Sequence, residues 1–334
     1  MRQPEEFRQQ IVNELKKIRF PGSDPSETEL AELEEESPAT MGELSPQLFA
    51  ELATARNKQL ITKEQQSRLQ ETVVGFFGLS VGSHAALTWM MQSRANAVKI
   101  SDPDTVDWTN LNRLRFGVQT VGQPKVAIVR AELEAINPYT KVHNTQKTDE
   151  DTVKGLFSTA PALNLVVDAI DDLPSKLLLR QLAREHQIPL LSAVDVGDNI
   201  FLDVERYDQD TDLVPFLGRV PEIETLDLNS LDPRRRTQLL IQLVGLEHNS
   251  EAMLYSLTQI GTSIPTWPQL GATATMAGGL ICTTIKKIVL GEEIPSGRVI
   301  LSMDELLDRS YGAPSRVTAR EKTMSEIKSA LQIT

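Results

Sequence analysis

The chain has 334 residues, 40% of them hydrophobic, so it is long enough and apolar enough to bury a sizeable core. Acidic residues outnumber basic ones by 46 to 34, giving a net charge of −12. That charge argues against a general nucleic-acid binder, because it repels phosphate backbones. The one cysteine, Cys282, excludes an intrachain disulfide and a zinc site built on paired cysteines of this chain.

The first fifty residues differ in character from the rest of the chain. Apolar residues at helical spacing predict a helix over residues 5–19, which Pro21 and Gly22 end. Residues 23–36 are acidic and poor in large apolar groups, which is typical of a solvated linker or an exposed helix; a docking surface for a partner is the alternative. We therefore expect a helical and acidic N-terminal extension over residues 1–55.

After Thr72, short apolar runs alternate with longer helical patterns. The predicted strands are 73–77, 97–101, 163–170, 189–194, 199–207 and 299–303, and the predicted helices are 83–92, 124–136, 173–186 and 271–290. This alternation predicts an α/β fold, a doubly wound Rossmann-like and mostly parallel sheet with helices on both faces. The corresponding domain is expected over residues 56–310, with a helical insertion at 221–260 and a C-terminal tail at 311–334.

The sequence also bears on the cellular compartment. Its first ten residues are polar and lack the apolar core of a signal peptide. The most apolar stretch, residues 271–282, is shorter than the ~20 residues that a bilayer span requires. We expect a cytoplasmic protein that does not bind membranes.

The first motif with possible chemistry lies between a predicted strand and a predicted helix. It reads Gly78-Leu-Ser80-Val-Gly82-Ser83. Small residues there let the backbone turn tightly and approach a phosphate, while the helix N-terminus offers free N–H donors. Serine occupies the second and last glycine positions of the G-x-G-x-x-G pattern. The motif alone therefore fits either a nucleotide site or an ordinary tight crossover.

Two carboxylates, Asp102 and Asp104, follow the next predicted strand. In dinucleotide-binding folds a carboxylate at this position binds a ribose, and the ribose of ATP would serve equally. The alternative is that these residues only cap a turn, as aspartates readily do.

A polar and cationic series comes next, made of Asn110, Arg113 and Lys125. Asn110 and Arg113, three residues apart, share a face if the turn is helical. Arginine binds phosphate at two points and lysine acts on it as a point charge. The series suits a triphosphate better than the diphosphate of NAD, the alternative being a set of surface polar residues around a loop.

Further acidic residues, Asp168, Asp171 and Asp172, stand at the end of a third predicted strand. The carboxyl ends of the strands form the ligand crevice of a doubly wound sheet. A carboxylate there is suited to hold Mg²⁺ between phosphates.

Together these motifs resemble the ThiF/MoeB/HesA family, bacterial relatives of ubiquitin-activating enzymes. The resemblance extends from about Arg56 to Leu301, which is most of the chain. It rests on Gly78 to Gly82, Asp102-x-Asp104-x₅-Asn110-Leu-Asn-Arg113, Gly122-Gln-Pro-Lys125 and Asp168-x-x-Asp171. The series from Asp102 to Lys125 is specific at these spacings, whereas the glycine loop is not.

The resemblance implies an adenylylation reaction. A carboxylate attacks the α-phosphate of Mg·ATP and yields an acyl-adenylate and pyrophosphate. The carboxylate would be the C-terminal glycine of a ubiquitin-like sulfur-carrier protein or a small-molecule acid. By resemblance, the glycine loop (Gly78, Ser80, Gly82) binds the nucleotide, and Asp102 or Asp104 holds the ribose. The phosphates would be contacted by Asn110, Arg113 and Lys125. By the same resemblance, Asp171 binds Mg²⁺ and Asp168 is structural.

An N-terminal element also carries the resemblance. In the family, an arginine just ahead of the first strand reaches into the neighbouring subunit's ATP site; here that residue would be Arg56 or Lys58. A homodimer is therefore expected. The loop that carries a thioester-forming cysteine in ubiquitin-activating enzymes has none here, and Cys282 lies within a predicted apolar helix. A thioester step is not expected.

Two other functions stay open at this stage. One is an oxidoreductase that binds NAD or FAD through the same loop and Asp102, although no residues resemble a hydride-transfer site. The other is a non-catalytic nucleotide-binding scaffold, which the altered glycine loop keeps open. NAD binding without ATP would favour the first, and ATP binding without turnover would favour the second.

Overall fold

Residues 4–147 and 149–332 are described by the structure, a computed structural model, and they group into two units. The first unit takes in the chain up to Ser67, together with Gln92–Arg94. The second takes in Arg68–Met91 and the chain from Ala95 onward.

The first unit is helical. Its helices are α1 (Pro4–Arg19), α2 (Glu27–Glu36), α3 (Pro46–Thr54) and the beginning of α4 (Lys63–Glu71). Ser26 and Glu29 form a capping box that fixes the start of α2. The unit has a small core of its own, made of Ile11, Val12, Leu15, Leu33, Leu44 and Leu48. The helix predicted over residues 5–19 is confirmed, and the acidic stretch that follows it forms a helix.

The second unit is built on a seven-stranded sheet with the order β3-β2-β1-β4-β5-β6-β7. Its strands are β1 (Val74–Phe77), β2 (Ala97–Ser101), β3 (Lys141–Thr145), β4 (Leu165–Asp168), β5 (Leu190–Val196), β6 (Asn199–Glu205) and β7 (Gly297–Ser302). The first five strands are parallel, and β6 runs antiparallel to both of its neighbours, β5 and β7. Residues of β1, β2 and β4 are buried throughout, as expected when helices cover a parallel sheet. The predicted α/β fold is confirmed.

Helices follow most of these strands. They are α5 (Val81–Ser93), α6 (Lys125–Ile136), α7 (Glu150–Ser158), α8 (Leu173–Glu185), α9 (Pro233–Val244), α10 (Glu251–Leu257), α11 (Gly271–Val289), α12 (Met303–Leu307) and α13 (Pro314–Leu331). Helices α9 and α10 lie in the predicted insertion, and α13 lies in the predicted tail. Ile327 of α13 is buried with Ile241 and Leu254 of the insertion, so these two segments pack together. Among the described residues, no helix is both long and apolar enough to cross a membrane.

The strand order determines where a ligand can bind. The chain runs outward from β1 through β2 to β3, then returns to β4 on the other side of β1. Carboxyl ends of the parallel strands share one edge of the sheet, and the point between β1 and β4 where the order reverses is the usual ligand crevice. Asp102 follows β2, Asp168 ends β4 and Asp195 lies near the end of β5, so all three belong to this edge.

Candidate nucleotide-binding site

The glycine turn is fixed by close packing at the switch point. Gly78 follows β1 with a φ of +85°, and its N–H donates to the carbonyl of Ser101 at 2.8 Å. A Cβ at Gly78 would lie 2.2 Å from the carbonyl oxygen of Ala169, which follows β4. Glycine is therefore required because neither the conformation nor the space admits a side chain. Gly82, in the first turn of α5, also packs closely, since a Cβ there would lie 3.3 Å from the Ala169 Cβ.

Asp102 is buried and holds the glycine turn against the end of β2. One of its oxygens accepts the backbone N–H of Leu79 at 2.6 Å, and the other accepts that of Asp104 at 2.8 Å. Burial raises the pKa of Asp102, against the opposing effects of Lys125 and of these N–H groups. Because backbone donors engage both oxygens, Asp102 caps this turn, which is one of the two roles that the sequence left open.

Lys125 begins α6 and brings an ammonium group to the same edge. Its side chain is 8% exposed, and its Nζ lies 2.8 Å from Asp104 Oδ2 and 3.8 Å from Asp102 Oδ1. The Asp104 side chain is 64% exposed. Because the Asp104 carboxylate is mostly in water whereas Lys125 is buried, another anion can take the place of Asp104 on the ammonium group.

Arg113 lies beside the glycine turn and is half-buried. Its Nε donates to Ser80 Oγ at 3.2 Å, and its Nη1 donates to the carbonyl of Thr109 and to Asn112 Oδ1. Among the described residues, its Nη2 has no hydrogen-bond partner. Asn110 has a different task, because its buried amide oxygen accepts the Asp107 N–H at 3.1 Å and closes the short turn 108–110. The guanidinium therefore keeps free donors, while Asn110 shapes the loop.

Sequence reasoning missed a second layer that holds the Arg113 loop. His84 of α5 is buried, and its Nε2 lies 2.6 Å from the carbonyl oxygen of Arg113, while Thr275 Oγ1 lies 3.3 Å from its Nδ1. Burial lowers the pKa of His84, which favours the neutral ring with the proton on Nε2. Gly271 at the start of α11 also packs closely, since a Cβ there would lie 2.7 Å from the Asn112 carbonyl oxygen. The scattered histidines of the sequence gave no spacing signal for this contact.

The two aspartates after β4 differ completely in environment. Asp168 is fully buried and accepts hydrogen bonds from Lys176 at 2.9 Å and from Arg180 at 2.8 Å. Burial alone would raise its pKa, but the two cations lower it below its ordinary value. Asp171 is exposed, and its carboxylate makes no hydrogen bond with any residue that the structure describes. Asp168 is thus structural, as the sequence interpretation favoured, and Asp171 is available to a ligand.

Asp195, near the end of β5, is a further buried carboxylate that the sequence analysis did not single out. Its Oδ1 accepts from Gln269 Nε2 at 2.9 Å, and its carbonyl oxygen lies 3.4 Å from the indole nitrogen of Trp267. Its Oδ2 is buried with no hydrogen-bond partner among the described residues. Burial raises its pKa, and the charges of Arg113 and Asp171 also act on it. A lone acidic residue within an apolar strand was the available signal.

The predicted residues therefore divide between the two units. The second unit brings together, at one edge of its sheet, Gly78, Ser80, Gly82, Asp102, Asp104, Asn110, Arg113, Lys125 and Asp171. Arg56 and Lys58 belong to the first unit, where both are exposed and Lys58 Nζ donates to the Ile18 carbonyl at 3.2 Å. Within the described residues, no group of three or more His, Cys, Asp or Glu side chains is placed to hold a metal ion.

Residues 54–323 match the model of the ThiF family. The chain belongs to the ThiF family. The family resemblance read from the spacing of Asp102, Asp104, Asn110, Arg113 and Lys125 is thereby confirmed.

Several curated proteins are similar to this ThiF-family chain. Uncharacterized protein MT1398 of Mycobacterium tuberculosis is 28% identical over 78% of this chain and 36% of its own length. The tRNA threonylcarbamoyladenosine dehydratase of Bacillus subtilis is 34% identical over 43% of this chain and 57% of its own length. The sulfur carrier protein ThiS adenylyltransferase of Bacillus subtilis is 27% identical over 40% of each. The chain thus spans between about a third and just over half of the length of these relatives.

Solved structures confirm the fold. The E. coli tRNA N6-threonylcarbamoyladenosine dehydratase in complex with ATP aligns with a TM-score of 0.50 at 18% sequence identity. The alignment covers 74% of this chain and 96% of that protein. The two chains share a backbone architecture, and at this identity the likeness concerns the fold alone.

Proposed function

We propose that this protein is an ATP-dependent adenylyltransferase that activates a carboxylate. A carboxylate oxygen of the acyl substrate attacks the α-phosphate of ATP, the bond to the β-phosphate breaks, and pyrophosphate leaves with the electron pair. The products are an acyl-adenylate and pyrophosphate. One observation carries the proposal: Arg113, which keeps free donors, and Lys125, paired with the exposed Asp104, lie beside the glycine turn at the switch point of a ThiF-family sheet. In support, one relative is named an adenylyltransferase and a structure of the same fold holds ATP.

The geometry assigns different tasks to the two aspartates near Lys125. Asp104 is exposed, and among the described residues its carboxylate pairs with Lys125 alone, so it is the one we expect to hold the ribose. Asp102 is fully engaged by backbone N–H groups and keeps the turn in place. Lys125 then exchanges Asp104 for a phosphate oxygen.

The phosphates would lie over the start of α5. Gly78, Ser80 and Gly82 place the helix N-terminus and its N–H donors at the edge of the sheet, where they favour an anion. Arg113 keeps free donors on its guanidinium and is held in position through Ser80 and Asn112. Fixed cations that meet the charge developing on a transferring phosphoryl group lower the barrier without reorganisation.

A magnesium ion fits the proposed site through Asp171. The residue is exposed, and its carboxylate is engaged by no described side chain, as a ligand for a hard cation requires. Mg²⁺ is usually held by one or two carboxylates together with phosphate oxygens and waters, so the site needs no larger acidic cluster, and none is found among the described residues. When bound, the ion would neutralise part of the phosphate charge.

The acyl substrate and the assembly belong to the same proposal. By the family resemblance, the carboxylate is the C-terminal glycine of a ubiquitin-like sulfur-carrier protein or a small-molecule acid, and the net charge of −12 disfavours RNA as a partner. We propose a cytoplasmic homodimer in which Arg56 or Lys58, both exposed, enters the neighbouring subunit's site. No thioester step is proposed, because Cys282 is buried and burial raises the pKa of its thiol.

Exchange of labelled pyrophosphate into ATP tests this function. The assay contains Mg²⁺ and compares wild type with Arg113→Ala and Asp171→Ala, against ubiquitin-like proteins and a panel of small acids. Exchange that requires one of these substrates and is lost in both variants would support adenylylation and identify the substrate class. ATP binding without exchange for any substrate would favour the scaffold function, and binding of NAD in place of ATP would contradict the proposal.

A further inference from the structure

The buried carboxyl of Asp195, at the edge of the sheet, has one oxygen without a hydrogen-bond partner among the described residues. The Asp195 side chain lies near the end of β5, and Asp195 as a residue is 4% exposed. Gln269 donates to Oδ1 at 2.9 Å, while Oδ2 is buried and lacks a hydrogen-bond partner among the residues that the structure describes. An unsatisfied buried acceptor is costly to keep, and such groups mark sites where a ligand or a bound water supplies the missing donor.

Contacts within the second unit connect this carboxyl to the proposed phosphate-binding residues. Asn112, adjacent to Arg113, donates through Nδ2 to the Gln269 carbonyl at 2.7 Å, and the Gln269 side chain in turn donates to Asp195. The charges of Arg113 and Asp171 both act on the Asp195 carboxyl. Asp195 is therefore part of the same edge site.

The topology separates Asp195 from the residues proposed for the nucleotide. Asp104 and Lys125 lie on the β2 side of the switch point, whereas Asp195 lies on β5, beyond β4. A ribose bound at Asp104 directs the triphosphate toward β1 and β4, which leaves the β5 side for the group that attacks the α-phosphate. This assignment of sides rests on the function proposed above.

The missing partner must be a hydrogen-bond donor. A second anion at Oδ2 is disfavoured because Asp171 already contributes negative charge there. A metal ion is disfavoured because, in the described part of the chain, no three His, Cys, Asp or Glu side chains are placed to hold one. A carboxyl oxygen in a buried setting binds an N–H group well.

We propose that Asp195 accepts a hydrogen bond from an N–H group adjacent to the reacting carboxylate of the acyl substrate. Such an N–H is the last peptide amide of a protein or peptide C-terminus, or the ammonium of a free amino acid. Asp195 thereby selects acids that carry a nitrogen next to the carboxylate over acids that do not.

A short segment covers the Asp195 Oδ2 atom. Trp267 and Gln269 contact Asp195 from residues 265–270, a segment without helix or strand in which no residue is fully buried. A shift of these two side chains brings a substrate N–H within reach of Oδ2.

Acyl-adenylate mimics test the inference by binding alone, without knowledge of the natural substrate. Titration calorimetry compares 5′-O-[N-(N-acetylglycyl)sulfamoyl]adenosine with its N-acetylsarcosyl analogue, in which a methyl group replaces the amide hydrogen. We expect wild type to bind the N–H compound about tenfold more tightly, the effect of one hydrogen bond to a carboxyl group. The glycyl compound, with a free ammonium, distinguishes an amino-acid substrate from a peptide: tighter binding than the acetylated form indicates the amino acid.

Asp195→Asn is the matched variant. Its amide keeps an oxygen for Gln269 and turns an NH₂ group toward the ligand, so the preference for the N–H compound should disappear. A steric effect of the methyl group would persist in this variant, which separates the two causes. Glu132→Gln is the control, because Glu132 is also a carboxylate whose pKa burial raises, but it lies two turns into α6; this control should keep the preference.

The outcomes separate this inference from the function on which it rests. Equal binding of the two acyl compounds to wild type, with 5′-O-sulfamoyladenosine itself bound, would overturn the role of Asp195 alone. A preference that persists in Asp195→Asn would overturn it as well. If none of these adenosine compounds binds, the proposed function is wrong and this inference falls with it.

Discussion

Two charged clusters contain acidic and basic side chains in different settings: one lies at the carboxyl edge of the sheet, and the other reaches from Asp168 at that edge to Glu205, which pairs with the first residue of β5. The closed cluster consists of Asp168, Lys176, Arg180 and Glu205, and the open cluster consists of Ser80, Asp104, Arg113 and Lys125. In the closed cluster, Arg180 is 1% exposed and contacts Asp168 at 2.8 Å and Glu205 at 2.9 Å. In the open cluster, Asp104 is 64% exposed and Arg113 is half-buried with free donors.

The clusters differ in how far their charges are paired with other groups of the protein. Glu205 also accepts from the Tyr207 hydroxyl and from the Phe216 N–H, so little capacity in the closed cluster remains for a ligand. The ring of Phe216 lies 3.7 Å from the Arg180 guanidinium and covers it. A buried cluster whose charges are paired within the protein holds strands and helices together, whereas a cluster at the surface with free donors is suited to bind a ligand.

The largest effect should follow from breaking the closed cluster. Arg180→Met would leave Glu205 buried without its cation and Asp168 with only Lys176. We expect the free energy of unfolding to fall by about 3–5 kcal/mol, measured by urea denaturation. The control is Arg184→Met, which breaks a half-exposed pair with Glu224 and should cost at most about 1 kcal/mol. Equal losses in the two variants would refute the assignment.

The open cluster should respond in the opposite way. Arg113→Ala should reduce the rate of ATP–pyrophosphate exchange about a hundredfold, the effect of removing one preorganised donor. The free energy of unfolding should change by less than about 1 kcal/mol, because the side chain is half-buried and two of its three hydrogen bonds are exposed to solvent. Arg115→Ala, two residues on and exposed, is the matched control and should retain exchange. If Arg113→Ala instead unfolds, Arg113 has a structural role like that of the residues in the closed cluster.

Asp195 is intermediate between the two clusters, because it is buried and only one of its carboxyl oxygens has a hydrogen-bond partner among the described residues. We expect the smallest effect from its substitution. Burial raises its folded-state pKa above the ordinary value of 3.8, so the folded protein loses stability as the pH rises from there through the folded value. Asp195→Asn cannot ionise and avoids that loss. The variant should match wild type near pH 3.5 and exceed it by about 1 kcal/mol at pH 7 in thermal melts. A variant less stable than wild type at pH 7 would show that the carboxylate is needed for folding.

The sequence predicted the strands of the sheet other than the edge strand β3, and it missed β3 and the helix α13 for physical reasons. β1, β2 and β4 are short apolar runs buried on both faces, and such runs are recognisable. β3 was missed because Lys141–Thr145 contains one apolar residue, Val142, and lies at the edge of the sheet. α13 was missed because its buried contacts, through Ile327, are with a segment distant in the sequence.

The site was predictable only in part, for a similar reason. Arg113 and Lys125 stand in a spaced motif that a reader of the sequence can find. Asp195 depends on Gln269, which is 74 residues away, and the Arg113 loop depends on His84 and Gly271. Contacts between residues so far apart in the sequence form only when the fold is complete, so no local sequence pattern predicts them.

Parallel binding measurements with Mg·ATP and NAD test most directly the claim that the open cluster binds a triphosphate. Calorimetry with wild type, Arg113→Ala and the control Arg115→Ala is sufficient. We predict that wild type and Arg115→Ala bind Mg·ATP in preference to NAD, and that Arg113→Ala binds it at least about tenfold more weakly. Tighter binding of NAD, or ATP affinity that is unchanged in Arg113→Ala, would contradict the account.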